Sequence, residues 1–202
     1  MANHNYILNK VEHFSDADRD NLFRSPTLIS GGGLMLCTSA GCNVLINAKS
    51  YSVGMWDLIV VSPFSIIQVI DIDPDFDCVI VGAALDFFSR IDVPNKGELF
   101  IEITNHPSIS LTKAEAQEII SLRDMLIREE QDSGKPFFEE VRNSILLIII
   151  FKVFALYTNR EPNREQRQSR NGEILNSFIV DLLKHNYQER KLDFYAQKQL
   201  IT

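Results

Sequence analysis

The sequence predicts an α+β chain, with a β sandwich or barrel first and helices after it. Three observations carry that expectation. Short apolar runs punctuated by Gly, Pro and Asp recur through the first hundred or so residues, at a spacing of roughly 8–12 residues. Thr112-Lys113-Ala114-Glu115 then reads as a capping box, in which Thr112 accepts from a backbone N–H and Glu115 reaches back. Near the C-terminus, Leu175, Phe178, Ile179, Leu182 and Leu183 fall on one helical stripe.

The strands follow in order. Leu34 to Thr38 comes after Gly31-Gly32-Gly33, a flexible lead-in, and Ala40-Gly41 supplies a turn. Asn43 to Ala48 returns, with Val44 and Ile46 alternating against Leu45 and Asn47. Asp57 to Val61 is ended by Ser62-Pro63, and Ser65 to Ile72 by the turn Asp73-Pro74-Asp75. Cys78 to Leu85 is the next strand, and Glu98 to Ile103 reads as one more. No long helix interrupts them, which argues against βαβ units.

After the capping box, Ile119, Leu122 and Leu126 share one stripe, and Gly134 ends that helix. Pro136 fits the first position of the next, which runs to about Tyr157. Its run Ile145 to Phe151 is apolar on every side, but a spanning helix needs about 20 apolar residues. Arg142, Asn143 and Lys152 bracket the run too closely, so it reads as a buried helix and not as a membrane span. Phe137, Phe138, Val141, Ile145, Ile148, Ile149 and Phe151 give this helix more apolar surface than one side of a barrel covers. A second copy of the chain is expected to cover the remainder, with Val141, Ile145, Ile148 and Ile149 as the dimer contact; the alternative is that barrel and helices bury all of it internally. Thr158 to Asn171, with Arg160, Arg164, Arg167, Arg170 and Pro162, buries no face and reads as a solvated linker; phosphate contact is the second use open to those arginines. Leu192 to Thr202 looks like the opening of another short helix.

Composition bounds the function. The chain has 202 residues and a formal net charge of −7, with 45% hydrophobic and 23% charged residues. That balance is ordinary for a globular protein, and an acidic chain does not grip phosphate over most of its surface. Cys37, Cys42 and Cys78 are odd in number and form no CxxC pair, which suits a reducing compartment. The N-terminus has neither a basic n-region nor an apolar h-region, so the expected location is the cytoplasm.

No motif for catalysis emerges. His4, His13, His106 and His185 show no i, i+2 or i, i+4 pairing, so no metal and no cofactor is expected. There is no Gly-x-Ser-x-Gly, and Cys37 has no neighbouring base. The glycine run lacks the Gly-Lys-Ser/Thr of a phosphate loop. Asp71, Asp73, Asp75 and Asp77 lack the Gly and terminal Glu of a calcium loop. No catalytic residue is therefore expected. A ligand at the mouth of a small barrel has Met35, Tyr51, Trp56, Phe64 and Gln68 as candidate contacts, though aromatic side chains at such positions are commonly core.

Taken together, these residues resemble the AraC family of bacterial transcription regulators. Gly33-Leu34-Met35 through Ile70, with Leu58-Ile59-Val60-Val61-Ser62-Pro63 and Ile66-Ile67-Gln68-Val69-Ile70, is similar to the family's N-terminal cupin half, and Asp77 to Phe88 continues the likeness. Phe178 to Leu183, Phe194-Tyr195-Ala196 and Leu200-Ile201-Thr202 are similar to the start of its helix-turn-helix domain. The resemblance implies a cupin-like β-barrel (jelly roll) for sensing at 1–107 and an α-helical dimerisation segment at 108–158. A linker at 159–171 and a truncated helix-turn-helix start at 172–202 complete the chain. It further implies a homodimer, a small-molecule effector, and DNA contact through a C-terminal part beyond Thr202. The alternatives are a cupin enzyme, with or without a metal, and a small-molecule-binding module with no DNA partner. Base reading needs a helix in the major groove plus phosphate anchors. A gel shift with the candidate operator is therefore expected to show weak or no specific binding by these 202 residues; tight specific binding would contradict the domain assignment.

Overall fold

The computed structural model describes residues 11–13, 24–89, 91, 93, 96–131, 134 and 136–159. In chain order these form β1 (Val11–His13), β2 (Thr27–Leu28), β3 (Gly32–Ser39), β4 (Cys42–Ile46), β5 (Lys49–Val53), β6 (Asp57–Val61), β7 (Ile66–Ile72) and β8 (Asp77–Ala83). Then come α1 (Leu85–Ser89), α2 (Lys96–Asn105), β9 (Ser108–Ser110), α3 (Lys113–Glu130) and α4 (Phe138–Thr158). The chain is thus mixed α+β. The linker expected after Asn159 and the helix-turn-helix start expected at 172–202 lie outside the described residues.

The strands form two antiparallel sheets, ordered β1-β8-β3-β6-β9 and β2-β7-β4-β5. Among the described residues the two sheets face each other across a shared core, and no closed barrel is formed. The first sheet is covered on both sides, by the second sheet and by the helices, and its central strands carry unbroken apolar runs for that reason. In β3, β6 and β8 the pleat sends alternate residues to opposite sides. Leu34 stands opposite Val60 and Val81, and Leu36 opposite Leu58 and Val79, within the core shared with the helices. Met35 stands opposite Ile59 and Ile80, and Cys37 opposite Cys78, against the second sheet. A slip of one residue would exchange the two sets, so register and layering specify each other.

The second sheet is wetter. Asn43, Ser50, Ser52, Ile66 and Ile70 are exposed while Val44, Val53, Ile67 and Val69 are buried. β4 and β5 meet at Asn47-Ala48, both with positive φ (50° and 65°), a two-residue turn whose twist suits a hairpin.

The helical layer corrects the sequence reading in several places. Glu98 to Ile103 lies within α2 and is not a strand. Leu99, Ile101 and Ile103 alternate, but the buried pair Phe100 and Ile103 shows the helical spacing that wins. The strand expected to reach Leu85 stops at Ala83, and β5 and β9 form where none was expected. α3 opens as anticipated: Glu115 N–H donates to Thr112 Oγ1 (3.2 Å) and Thr112 N–H to Glu115 Oε2 (2.7 Å). Ile119 and Leu126 are buried on its inner stripe, with Leu122 partly buried beside them. α4 starts at Phe138, two residues after Pro136, and its cap is Phe137 at φ 63° with no side-chain hydrogen bond. Its last turn is tethered, since Tyr157 O–H donates to His106 O (2.9 Å), and the next residue's Pro107 O accepts from Val60 N–H (2.7 Å).

Holding Ala48 left-handed costs about 1–2 kcal/mol. Glycine avoids that cost but loses roughly 0.5–1 kcal/mol of chain entropy on folding. Ala48→Gly should therefore raise stability slightly, by about 0.5 kcal/mol, read as a small upward shift of the urea midpoint at unchanged slope.

Candidate functional site

α4 is apolar nearly all round, and a helix of that kind is ordinarily buried on every side. Here its inner stripe is. Ile145, Leu146, Ile149, Val153, Phe154 and Tyr157 are all buried in the core shared with the first sheet, α2 and α3. Phe154 meets Phe100 of α2 in an edge-on contact with centroids 6.1 Å apart. By length and composition α4 could cross a membrane, but this stripe is committed to the protein's own interior.

The opposite stripe is not covered by any described residue. Phe137, Val141, Ser144, Ile148, Phe151, Ala155 and Thr158 are all exposed. Phe137 is 74% exposed, and Val141, Ile148 and Phe151 are 40–44% exposed. Their spacing alternates four and three, the heptad seam of paired helices. The two polar members do not spoil the seam, because each hydroxyl donates to its own helix backbone: Ser144 to Glu140 O (2.7 Å) and Thr158 to Phe154 O (2.6 Å). Of the four residues expected at a dimer contact, Val141 and Ile148 lie on this face, whereas Ile145 and Ile149 are 4% and 1% exposed and belong to the core. Phe137 and Phe151, already counted in the apolar surface of this helix, complete the stripe with Ser144, Ala155 and Thr158, which a strict heptad count along 137–158 would have found.

The five candidate ligand contacts are not brought together. Met35 and Tyr51 pack against the inter-sheet core, with Lys49 Nζ 5.5 Å from the Tyr51 ring centroid. Trp56, at φ 69°, packs on the opposite side of the first sheet, its N–H donating to Cys37 O and its carbonyl accepting from Leu111 N–H. Phe64, also left-handed, is exposed beyond β6. Gln68 donates to Arg24 O (3.2 Å) from the second sheet.

Two cavities lie among the described residues. One, of about 40 Å³, lies between the sheets and is lined by Met35, Val44, Ile59 and Val69 among others. The second, of about 50 Å³, lies between the first sheet and the helices α2 and α4. Gly32, Gly33 and Gly82 contribute no side chains to it, and a Cβ at Gly32 would come within 2.8 Å of the Phe88 ring. At ~24 cal/mol per Å³, a void of that size forgoes about 1 kcal/mol of packing.

The three thiols share the inter-sheet core. Burial pushes Cys37 up to about 11 and Cys42 to about 12, and Cys78 further still, with the nearby Asp73 and Asp77 carboxylates adding to the rise. Such thiols are packing groups and not nucleophiles. Among the described residues no group of three or more His, Cys, Asp or Glu side chains could hold a metal ion. His106 Nδ1 stands 3.0 Å from Glu102 Oε1 one turn earlier on α2.

No protein-family profile and no curated protein matches the chain. Among solved structures it is similar to the AraC-like transcriptional activator CuxR, at 12% identity and a TM-score of 0.46, over 94% of this chain and 62% of that one. The chain spans less than two thirds of that structure, a likeness too distant to assign a function.

The raised thiols fix a pH dependence. The folded chain holds these protons above the ordinary value of 9.0, so their contribution is complete below pH 9 and is lost as pH rises from there toward 11 and 12. Urea unfolding should show stability falling across that window by up to about 1.4 kcal/mol per pH unit per thiol. Cys42→Ala should make the fall shallower.

Proposed function

We propose that the chain is the effector-sensing and dimerisation portion of an AraC-type transcription regulator acting in the cytoplasm. In this reading a cupin-like β body occupies 1–107, a helical dimerisation segment 108–158, a linker 159–171, and the start of a helix-turn-helix domain 172–202. The regulator part is supported by the sequence likeness in Leu58 to Ile70 and in Phe178 to Thr202. The dimerisation part rests on one observation, the exposed 4-3-spaced apolar stripe of α4.

Apolar surface removed from water contributes about 25 cal/mol per Å². A stripe of this kind is self-complementary, so a second copy presents the same residues across a two-fold axis. Antiparallel pairing also opposes the two helix dipoles. The effector acts by favouring one arrangement of the β body and helices, which requires unequal affinity for two states.

Sedimentation equilibrium of the purified chain at micromolar concentration tests this. The wild type should be a dimer. Ile148→Glu should weaken it at least about tenfold, or 1.4 kcal/mol, without unfolding the protein. Ile149→Glu, on the inner stripe, should unfold it. A wild-type chain that stays monomeric would rule the dimer out.

A further inference from the structure

We propose that the cavity between the first sheet and α4 is a binding site for an apolar molecule of only a few heavy atoms, such as a short alkane, and that its occupancy alters helix pairing on the far face of α4. The coupling rests on the dimerisation proposed above. Native interiors hold few voids larger than a water molecule, yet this one measures about 50 Å³. Its walls come from Leu34 and Val81 of the first sheet, Phe88 of α1, Phe100 of α2, and Ile149, Val153 and Phe154 of α4. One end lies at the rim of the sheet, where β3 begins at Gly32, β6 ends before Ser62 and β8 ends at Ala83.

The lining sets the ligand class. Ser62 bears the one side-chain hydroxyl among the lining residues, and it is already matched, 3.1 Å from the Thr104 hydroxyl. A sugar or charged metabolite would bury polar groups without partners. An apolar guest loses nothing there, and dry apolar cavities do take up such molecules.

The position sets the consequence. Ile149 and Val153 face the cavity, while Ile148 and Phe151 one or two residues away are on the exposed stripe. A guest that moves the inner face of α4 moves the outer face with it, because the helix is a rigid element in a packed core.

Xenon is a suitable probe. Methyl spectra of the full 202-residue chain under xenon should show shifts at Val81, Ile149 and Val153 and not at Val44, Ile46 or Val69 of the inter-sheet cavity. Val153→Phe and Ala83→Leu fill the space from opposite walls, and each should abolish the shifts. The dimer dissociation constant should differ at least about fivefold between xenon- and nitrogen-saturated buffer. Absence of shifts, shifts confined to the inter-sheet methyls, or an unchanged dissociation constant despite the expected shifts would each overturn the proposal. A chain that is monomeric under nitrogen fails the dimer reading without any probe, and the coupling with it; the methyl shifts still decide the binding site.

Discussion

Burial of the first sheet on both faces is the constraint from which the rest of the structure follows. β3, β6 and β8 must satisfy two cores at once, so their residues are apolar without interruption and their pairing admits one register. The second sheet and the helical layer need only one apolar face each. That is why β5 reads Lys-Ser-Tyr-Ser-Val, and why α3 keeps a charged outer side. Cys37, Leu36 and Leu58, all at 0% exposure, mark the depth of this middle layer.

α4 stands apart because it carries apolar residues in excess of what the middle layer consumes. Its inner stripe completes the helical core, and its outer stripe has no partner among the described residues. The two hydroxyls in that stripe are already bonded to the helix backbone, so the exposed face is apolar along its length. The left-handed Phe137 at its start, largely exposed, extends the same stripe beyond the helix itself.

Much of this architecture could be read from the chain. The capping box at Thr112 is local chemistry, and the unbroken runs at Leu34, Leu58 and Cys78 declare doubly buried strands. Other parts could not. Glu98 to Ile103 satisfies both periods over six residues, and only packing of Phe100 against Phe154 selects the helix. Lys49 to Val53 is too polar to announce a strand, and its pairing with β4 depends on the Asn47-Ala48 turn. In α4 the inner and outer stripes are nearly alike in composition, so Ile145 and Ile148 were indistinguishable until the neighbours were known. Cavities arise from what several packed elements fail to fill, and no stretch of sequence encodes that.

The Tyr157 tether carries a mechanical implication. Its hydroxyl holds the last turn of α4 to the end of α2, and Pro107 in turn is hinged onto β6 through Val60. The C-terminal end of α4 is therefore anchored to the doubly buried sheet. A load on the last turn of α4 is thus passed through Tyr157 and Pro107 into β6 and is not taken up by the helix alone.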